Sequence, residues 1–412
     1  MRTVVLLLAL MAPAASAGAP PPRTLVVAPG GATLAGALAA ARPGDRLVVR
    51  PGVYREPTLV VDKPVEVVGE PGAVLDGEGQ RELIQVVADG VTVRGLTFRN
   101  TGHTFVGDRA ALRVEEAGGC RIEGNRFEGT FFGVYLAQAH DCAVAANVFV
   151  GPDVPESLAG NGIHLWYCRR VTVTDNRIAR HRDGIYFEFV EDSAAERNVS
   201  TANRRYGLHF MFSDRCRYVG NVFRANGAGV AVMYTEEVAM TGNRFEDNRG
   251  PAAYGLLLKQ ISGGTISGNR FAGNTVGLFA EGAARMAVEG NDFVRNGWAV
   301  RVMADARQTR FARNNFVANT FDVGTNGRHG TTVFEGNYWS AYRGYDLDRD
   351  GTGDVAFRPV RLFALIVEEH EPALLLLRSL FVDLLDLAER VAPALTPETL
   401  ADACPAMRPL PR

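Results

Sequence analysis

GNRF at 124–127, GNRF at 242–245 and GNRF at 268–271 are one phrase written three times in a single chain. Looser copies keep the asparagine and place an apolar residue two positions on: Asn147 with Phe149, Asn176 with Ile178, Asn221 with Phe223, Asn291 with Phe293, Asn314 with Phe316, and Asn337 with Trp339. Asn198 holds the slot in a weaker copy. Successive asparagines stand 22, 23, 26 or 29 residues apart. That period is too short for helical-hairpin repeats or propeller blades.

Most units also hold a strand opened by glycine, at Gly133, Gly162, Gly184, Gly207, Gly229 and Gly255, and a third alternating run such as Val171-Thr172-Val173. Short period-2 strands separated by Gly and Asn turns describe one coil of a parallel β-helix. Asparagine suits the bend because it tolerates the left-handed conformation and its amide can bond along the axis. The spacing predicts an all-β solenoid of about 22-residue coils over residues 18–340, about 11 or 12 coils and roughly 55 Å long. The Ala-rich residues 33–41 predict a short helix capping the first coil, where an open edge would otherwise invite pairing. The longer steps throw out loops at residues 151–156 and 249–252, and such loops gather on a binding side.

The 412 residues are 47% hydrophobic and 22% charged, which excludes a disordered or fibrous chain. A formal net charge of −2 argues against a nucleic-acid partner. Arg2, the apolar residues 4–11 and the small residues up to Ala17 read as a secretory signal cut near Ala17. Five cysteines, with no C-x-x-C pair, exclude a dense disulfide framework. Cys120, Cys142 and Cys216 each stand five residues before a repeat asparagine, a core position, and are expected as buried small hydrophobes.

Aligning the coils on the strand glycine turns each position into a column. The first and third residues after it are apolar and face the core, so the second and fourth face outward. The second-position column runs Tyr135, His164, Tyr186, His209, Ala231, Leu257; the fourth runs Ala137, Trp166, Glu188, Met211, Met233, Lys259. Met211 and Met233 are therefore expected on adjacent rungs, with His209 beside Met211 and with His164 and Glu188 nearby as alternative ligands. Thioether and imidazole form a soft donor set that favours Cu(I). An apolar strip that packs against a loop or another protein is the competing reading of the same columns.

After the last coil, DLDRDGTGD at 346–354 places Asp346, Asp348, Asp350 and Asp354 at the alternating positions of a Ca²⁺-type loop in the segment 341–360, without the closing Glu of an EF-hand. In the tail, residues 361–412, positions 374–390 carry a broad apolar arc with a charged stripe. This predicts a helix that caps the solenoid or docks on a membrane-bound partner.

The phrases GNGIHLWY (160–167), DGIYFEF (183–189), YGLHFMFSD (206–214), GVAVMYT (229–235), NYWS (337–340) and RSLFVD (378–383) resemble the NosD family. The resemblance spans essentially the whole mature chain. It implies a right-handed parallel β-helix in the periplasm that handles copper for the maturation of nitrous oxide reductase. It also implies, as partners, a membrane ABC transporter (permease and ATPase), a copper-donating lipoprotein, and the reductase as recipient. No ligand set comes with it, so the copper ligands rest on the columns alone.

The rival class is a carbohydrate-active β-helix enzyme, a lyase or hydrolase, which needs paired carboxylates in a groove. Asp183, Glu188, Glu191 and Asp192 are its clustered candidates, and none pairs with Glu188 in its column. A copper-handling, non-catalytic role accounts for the Met/His columns and an enzymatic one does not.

Overall fold

The computed structural model describes residues 21–104, 107–327, 331–391 and 400–411; the leader expected at residues 1–17 lies outside them. Strands of successive coils pair in parallel and in register, as Arg126 with Val148 and Val148 with Arg177. One sheet of 13 strands carries the asparagine-x-aromatic phrase. The other, of 24, consists of two ladders that merge where the 14-residue strands Ala228–Thr241 and Tyr254–Ser267 run through a corner. Three ladders enclose one core, so the chain is a parallel β-solenoid of about 14 turns, roughly 62 Å long at ~4.8 Å per rung.

The solenoid is thus longer than the asparagine repeat alone predicts. Its first coils, built on strands such as Thr24–Val27, Arg46–Val49 and Glu66–Gly69, lack the asparagine phrase. Leu96 holds the slot one coil before Asn125 and donates its backbone N–H to that amide at 3.1 Å.

From Asn125 onward each Asn Nδ2 donates to the Oδ1 of the next, through Asn147, Asn176, Asn198 and on to Asn314 and Asn337, at 3.2 to 3.0 Å. A second ladder, five residues further in each coil, links Asn203, Asn226, Asn248, Asn274, Asn296 and Asn319. Buried amides are satisfied along the axis, so each coil is keyed to the next at two corners. Inside, Phe245, Phe271, Phe293, Phe316 and Trp339 stack with centroids 4.0 to 5.0 Å apart. The strand glycines are required by close approach: a Cβ on Gly207 would meet the Gly229 carbonyl oxygen at 2.7 Å, and one on Gly184 the Gly207 oxygen at 2.6 Å. Cys120, Cys142 and Cys216 are buried free thiols, as their column predicts.

Helix α1 (Leu34–Ala40) packs Leu34, Ala37 and Leu38 onto the first coil. Thr33 Oγ1 caps it by accepting from Gly36 N, and Glu56 of the next coil accepts from Leu34 N and Ala35 N. The tail departs from the single helix expected at 374–390. It forms α2 (Leu362–Glu369), a 3₁₀ turn (Glu371–Leu376) and α3 (Leu380–Val391). Pro372, without an N–H, cannot continue α2 and starts the tighter turn instead. Phe363, Ala364 and Val367 of α2 pack with Val276, Trp298 and Phe321 of the outer columns, so the helices lie along the side of the last coils. The open end is closed by the segment around Asp402, whose carboxylate terminates the first asparagine ladder. No helix among the described residues is long and apolar enough to cross a membrane.

Candidate metal site on the outer columns

The register matches the column reading. Trp166 pairs with Glu188, Glu188 with Met211 and Met211 with Met233, while His164 pairs with Tyr186 and Tyr186 with His209. The strands Tyr206–Met211 and Ala228–Thr241 thus set two thioethers on adjacent rungs, with His209 two residues before Met211. Met211, Met233 and Glu188 are half-buried.

The second-position column is less open than its outward direction suggests. His164 and His209 are only 7% and 6% exposed. Rings on neighbouring rungs pack against and cover one another, Tyr135–His164 and His164–Tyr186 edge to face and Tyr186–His209 stacked, each with centroids 4.7 Å apart. Tyr206 adds a further ring, 4.8 Å from His209. The insertion loop lies at this edge, where Arg204 Nη2 donates to the Pro152 carbonyl at 2.7 Å. Tyr186 therefore separates the two histidines. His164 does not join His209; its Nε2 lies 4.0 Å from Glu188 Oε2 instead.

Each imidazole is held from one side. Arg205 Nη2 lies 3.4 Å from His209 Nδ1, and Asp183 Oδ2 lies 3.7 Å from the same nitrogen. Asp183 is fully buried and accepts two bonds from Arg205, at 2.9 and 2.6 Å. Burial opposes its charge, but His209 and Arg205 outweigh that and hold the carboxyl below its ordinary range. Asn161 Nδ2 lies 3.3 Å from His164 Nδ1. Burial, reinforced by Arg182, pushes the His164 imidazole down to about 3, so it is neutral and able to ligate near pH 7. Both Nε2 atoms are buried without a hydrogen-bond partner among the described residues. The Tyr186 hydroxyl donates to Met211 Sδ at 3.7 Å, and burial raises its phenol pKa.

The sequence reading missed Asp183 and Arg205 as supports of His209, and Tyr186 as the wedge. The signal was present: Tyr186 stands between the two histidines in the same column.

In the acidic loop, carboxylate oxygens of Asp346, Asp348 and Asp350 lie within 4.8 Å of one another, the only group of three His, Cys, Asp or Glu so placed among the described residues. Asp354 stands apart and accepts from Leu347 N at 2.7 Å. Of the acids considered for glycosidic chemistry, Asp183 is bound to Arg205, while Glu191 and Asp192 are bound to Arg215 at 2.8 and 2.7 Å.

Residues 150–344 match the family described as "Periplasmic copper-binding protein (NosD)". The "Probable ABC transporter binding protein NosD" of Pseudomonas aeruginosa is 33% identical over 369 residues, covering 85% of each chain. Its namesake in Stutzerimonas stutzeri is 29% identical over 370 residues, covering 85% of this chain and 84% of the other. Among solved structures, a mannuronic acid-specific polysaccharide family 6 lyase from human gut microbiota superposes with a TM-score of 0.56 at 14% identity, covering 85% of this chain and 94% of that one. At that identity the likeness is one of fold.

Proposed function

From the premise that this chain belongs to the NosD family of periplasmic copper-binding proteins, we propose that it carries Cu(I) on the Met211–Met233 row and delivers it, with an ABC transporter, for the copper centres of nitrous oxide reductase. The observation that supports the site best is the pair of thioethers on adjacent rungs, beside an imidazole whose Nε2 has no hydrogen-bond partner among the described residues. Two soft sulfurs and one borderline nitrogen suit Cu(I) better than hard cations. Glu188, one rung from Met211, supplies a carboxylate that offsets the ion's charge.

His209 ligates through Nε2 only when its proton sits on Nδ1. Arg205 faces Nδ1 as a donor and Asp183 faces it as an acceptor. Ligation therefore moves the Nδ1 contact from Arg205 to Asp183, which then holds the ring in the ligating tautomer. Half-exposed thioethers leave one side of the ion open, and a partner that adds a donor from that side can take it. His164, screened by Tyr186, serves as an alternative ligand with Glu188.

The copper donor is a lipoprotein and the recipient is the reductase, in keeping with the family resemblance. The tail supplies the transporter contact: α3 and the turn before it expose Leu375, Leu380, Phe381, Leu384, Leu387 and Val391, with Leu380 72% and Val391 77% exposed. The leader at residues 1–17 directs export. Asp346, Asp348 and Asp350 bind a structural Ca²⁺; a rise in melting temperature with Ca²⁺, abolished in the triple Asn variant, is the expected result. Carbohydrate cleavage has less support, because three of its four candidate acids are tied to arginines.

The deciding experiment is anaerobic Cu(I) titration of the mature chain against its Met211→Leu/Met233→Leu variant. Leucine keeps the apolar volume and deletes both sulfurs. The variant is expected to lose at least tenfold in affinity and to fail in reductase maturation. Parent-like binding would move the copper site elsewhere.

A further inference from the structure

One residue beyond the methionine column, the chain turns a corner, and every residue at that corner has a left-handed backbone. Gln138, Tyr167, Phe189, Phe212, Tyr234 and Gln260 have φ between 49° and 55°. Asparagine and glycine adopt this conformation readily, whereas a bulky aromatic there is strained. Four consecutive coils nevertheless carry aromatics, and these are the coils bearing Trp166, Glu188, Met211 and Met233. On either side of them the column reverts to glutamine. Strained aromatics confined to the coils of a candidate site point to a use there.

The four rings form one stack. Tyr167–Phe189, Phe189–Phe212 and Phe212–Tyr234 have centroids 4.5, 5.1 and 5.1 Å apart and lie within 17° of parallel. The stack stands in solvent, with Tyr167 50% exposed. Because the faces are occupied by one another, the row presents ring edges. Sugars and bases stack on faces, so the row fits neither. An exposed edge row standing beside the Met211 and Met233 column is a strip for an apolar protein surface. At its first end lies a cleft of about 400 Å³ lined by His140, Tyr167, Arg169, Phe189 and Glu191, room for one inserted side chain.

Charge says what surrounds that surface. Beyond Phe212 and Tyr234 the corner is flanked by Asp214, Glu236 and Glu237, which have no ion-pair partner among the described residues, while Arg215 is already held by Glu191 and Asp192. A donor arriving with Cu(I) carries one more positive charge than the same donor leaving empty. The acidic flank therefore favours arrival of the loaded form and departure of the empty one.

We infer that the Tyr167–Phe189–Phe212–Tyr234 ladder is the docking strip for the copper-donating partner, which meets it with an apolar patch edged by lysine or arginine; this rests on the copper reading of Met211 and Met233. The test is binding of the lipoprotein's soluble, Cu(I)-loaded domain to the immobilised mature chain, anaerobically and at several salt concentrations. Phe189→Asn/Phe212→Asn removes the apolar edges and places at each site a residue at ease with the left-handed backbone. It is expected to bind the donor at least tenfold more weakly while melting and titrating with Cu(I) as the parent does. Glu236→Lys/Glu237→Lys is expected to slow association and flatten its salt dependence. Met211→Leu/Met233→Leu is expected to dock normally. If that variant also binds Cu(I) normally, the copper reading falls while the docking result stands. Unchanged donor binding by the asparagine variant overturns the strip, and a loss confined to reductase or permease binding overturns the donor as its occupant.

Discussion

His181 takes the slot that the second ladder fills with asparagine: its N–H donates to Asn203 Oδ1 at 3.1 Å, as Asn203 N donates to Asn226. Its ring is fully buried, and burial pushes its pKa down to about 3. His164 titrates alike. An unfolded histidine takes up its proton near pH 6.5, well before these folded ones do. Each therefore contributes stability that is complete above about pH 6.5 and is lost as the pH falls toward 3, up to ~4 kcal/mol apiece. His181→Asn extends the ladder and removes one proton-linked penalty. Its denaturation midpoints at pH 7 and pH 4 are expected to lie closer together than the parent's; an unchanged gap counts against the assignment. Tyr218 is a simpler case. Fully buried, 4.3 Å from the Phe210 ring, it has a hydroxyl with no hydrogen-bond partner among the described residues, and burial raises its phenol pKa well above the usual value. Tyr218→Phe is expected to stabilise the chain by ~1–2 kcal/mol in chemical denaturation.

At the scale of elements, a ladder needs an end. Asp402 supplies it by accepting from Gly336 N, Asn337 N, Asn337 Nδ2 and Trp339 Nε1 at 2.9 to 3.0 Å. Asp402→Ala leaves the buried Asn337 N and Trp339 Nε1 without an acceptor and Asn337 Nδ2 with only its bond to the Phe311 carbonyl, and is expected to destabilise the chain by at least ~3 kcal/mol, read as a lower denaturation midpoint. Helix α3 shows the opposite economy. Val382 and the half-buried Leu385 face the solenoid, while Leu380, Leu384 and Leu387 face solvent. Replacing those three outward leucines with serine is expected to leave melting unchanged and abolish co-purification with the permease. A fall in melting temperature would instead mean that these side chains pack on the solenoid.

The whole molecule behaves as a stack in which each coil touches its neighbours, so stability is close to a sum over coils and interfaces. Removing residues 126–147 joins Asn125 to Val148 and deletes one 22-residue period without changing register. That variant is expected to keep the parent's β-type circular dichroism and to melt within a few degrees of it. Removing residues 126–136 leaves half a coil, so the coils before and after it cannot pair in register at that interface, and the variant is expected not to fold as one stack. If both deletions fold equally well, coil register is not what holds the stack.

The parallel, in-register stack explains how much could be read from the residues alone. One period repeated along the chain places equivalent positions one rung apart, so the core columns, the buried cysteines and the Glu188–Met211–Met233 row follow from the numbering. The second asparagine ladder was equally legible, at a constant five residues after the first. What lacked a period was decided in three dimensions. Whether an outward side chain is open or covered depends on the size of its neighbours above and below, which is why His164 and His209 are buried beside Tyr186. The tail's path along the side depends on the Val276, Trp298 and Phe321 surface meeting α2. The end of the ladder depends on Asp402, 65 residues beyond the asparagine it receives. Contacts between segments that share no repeat leave no periodic trace, and only the folded chain brings them together.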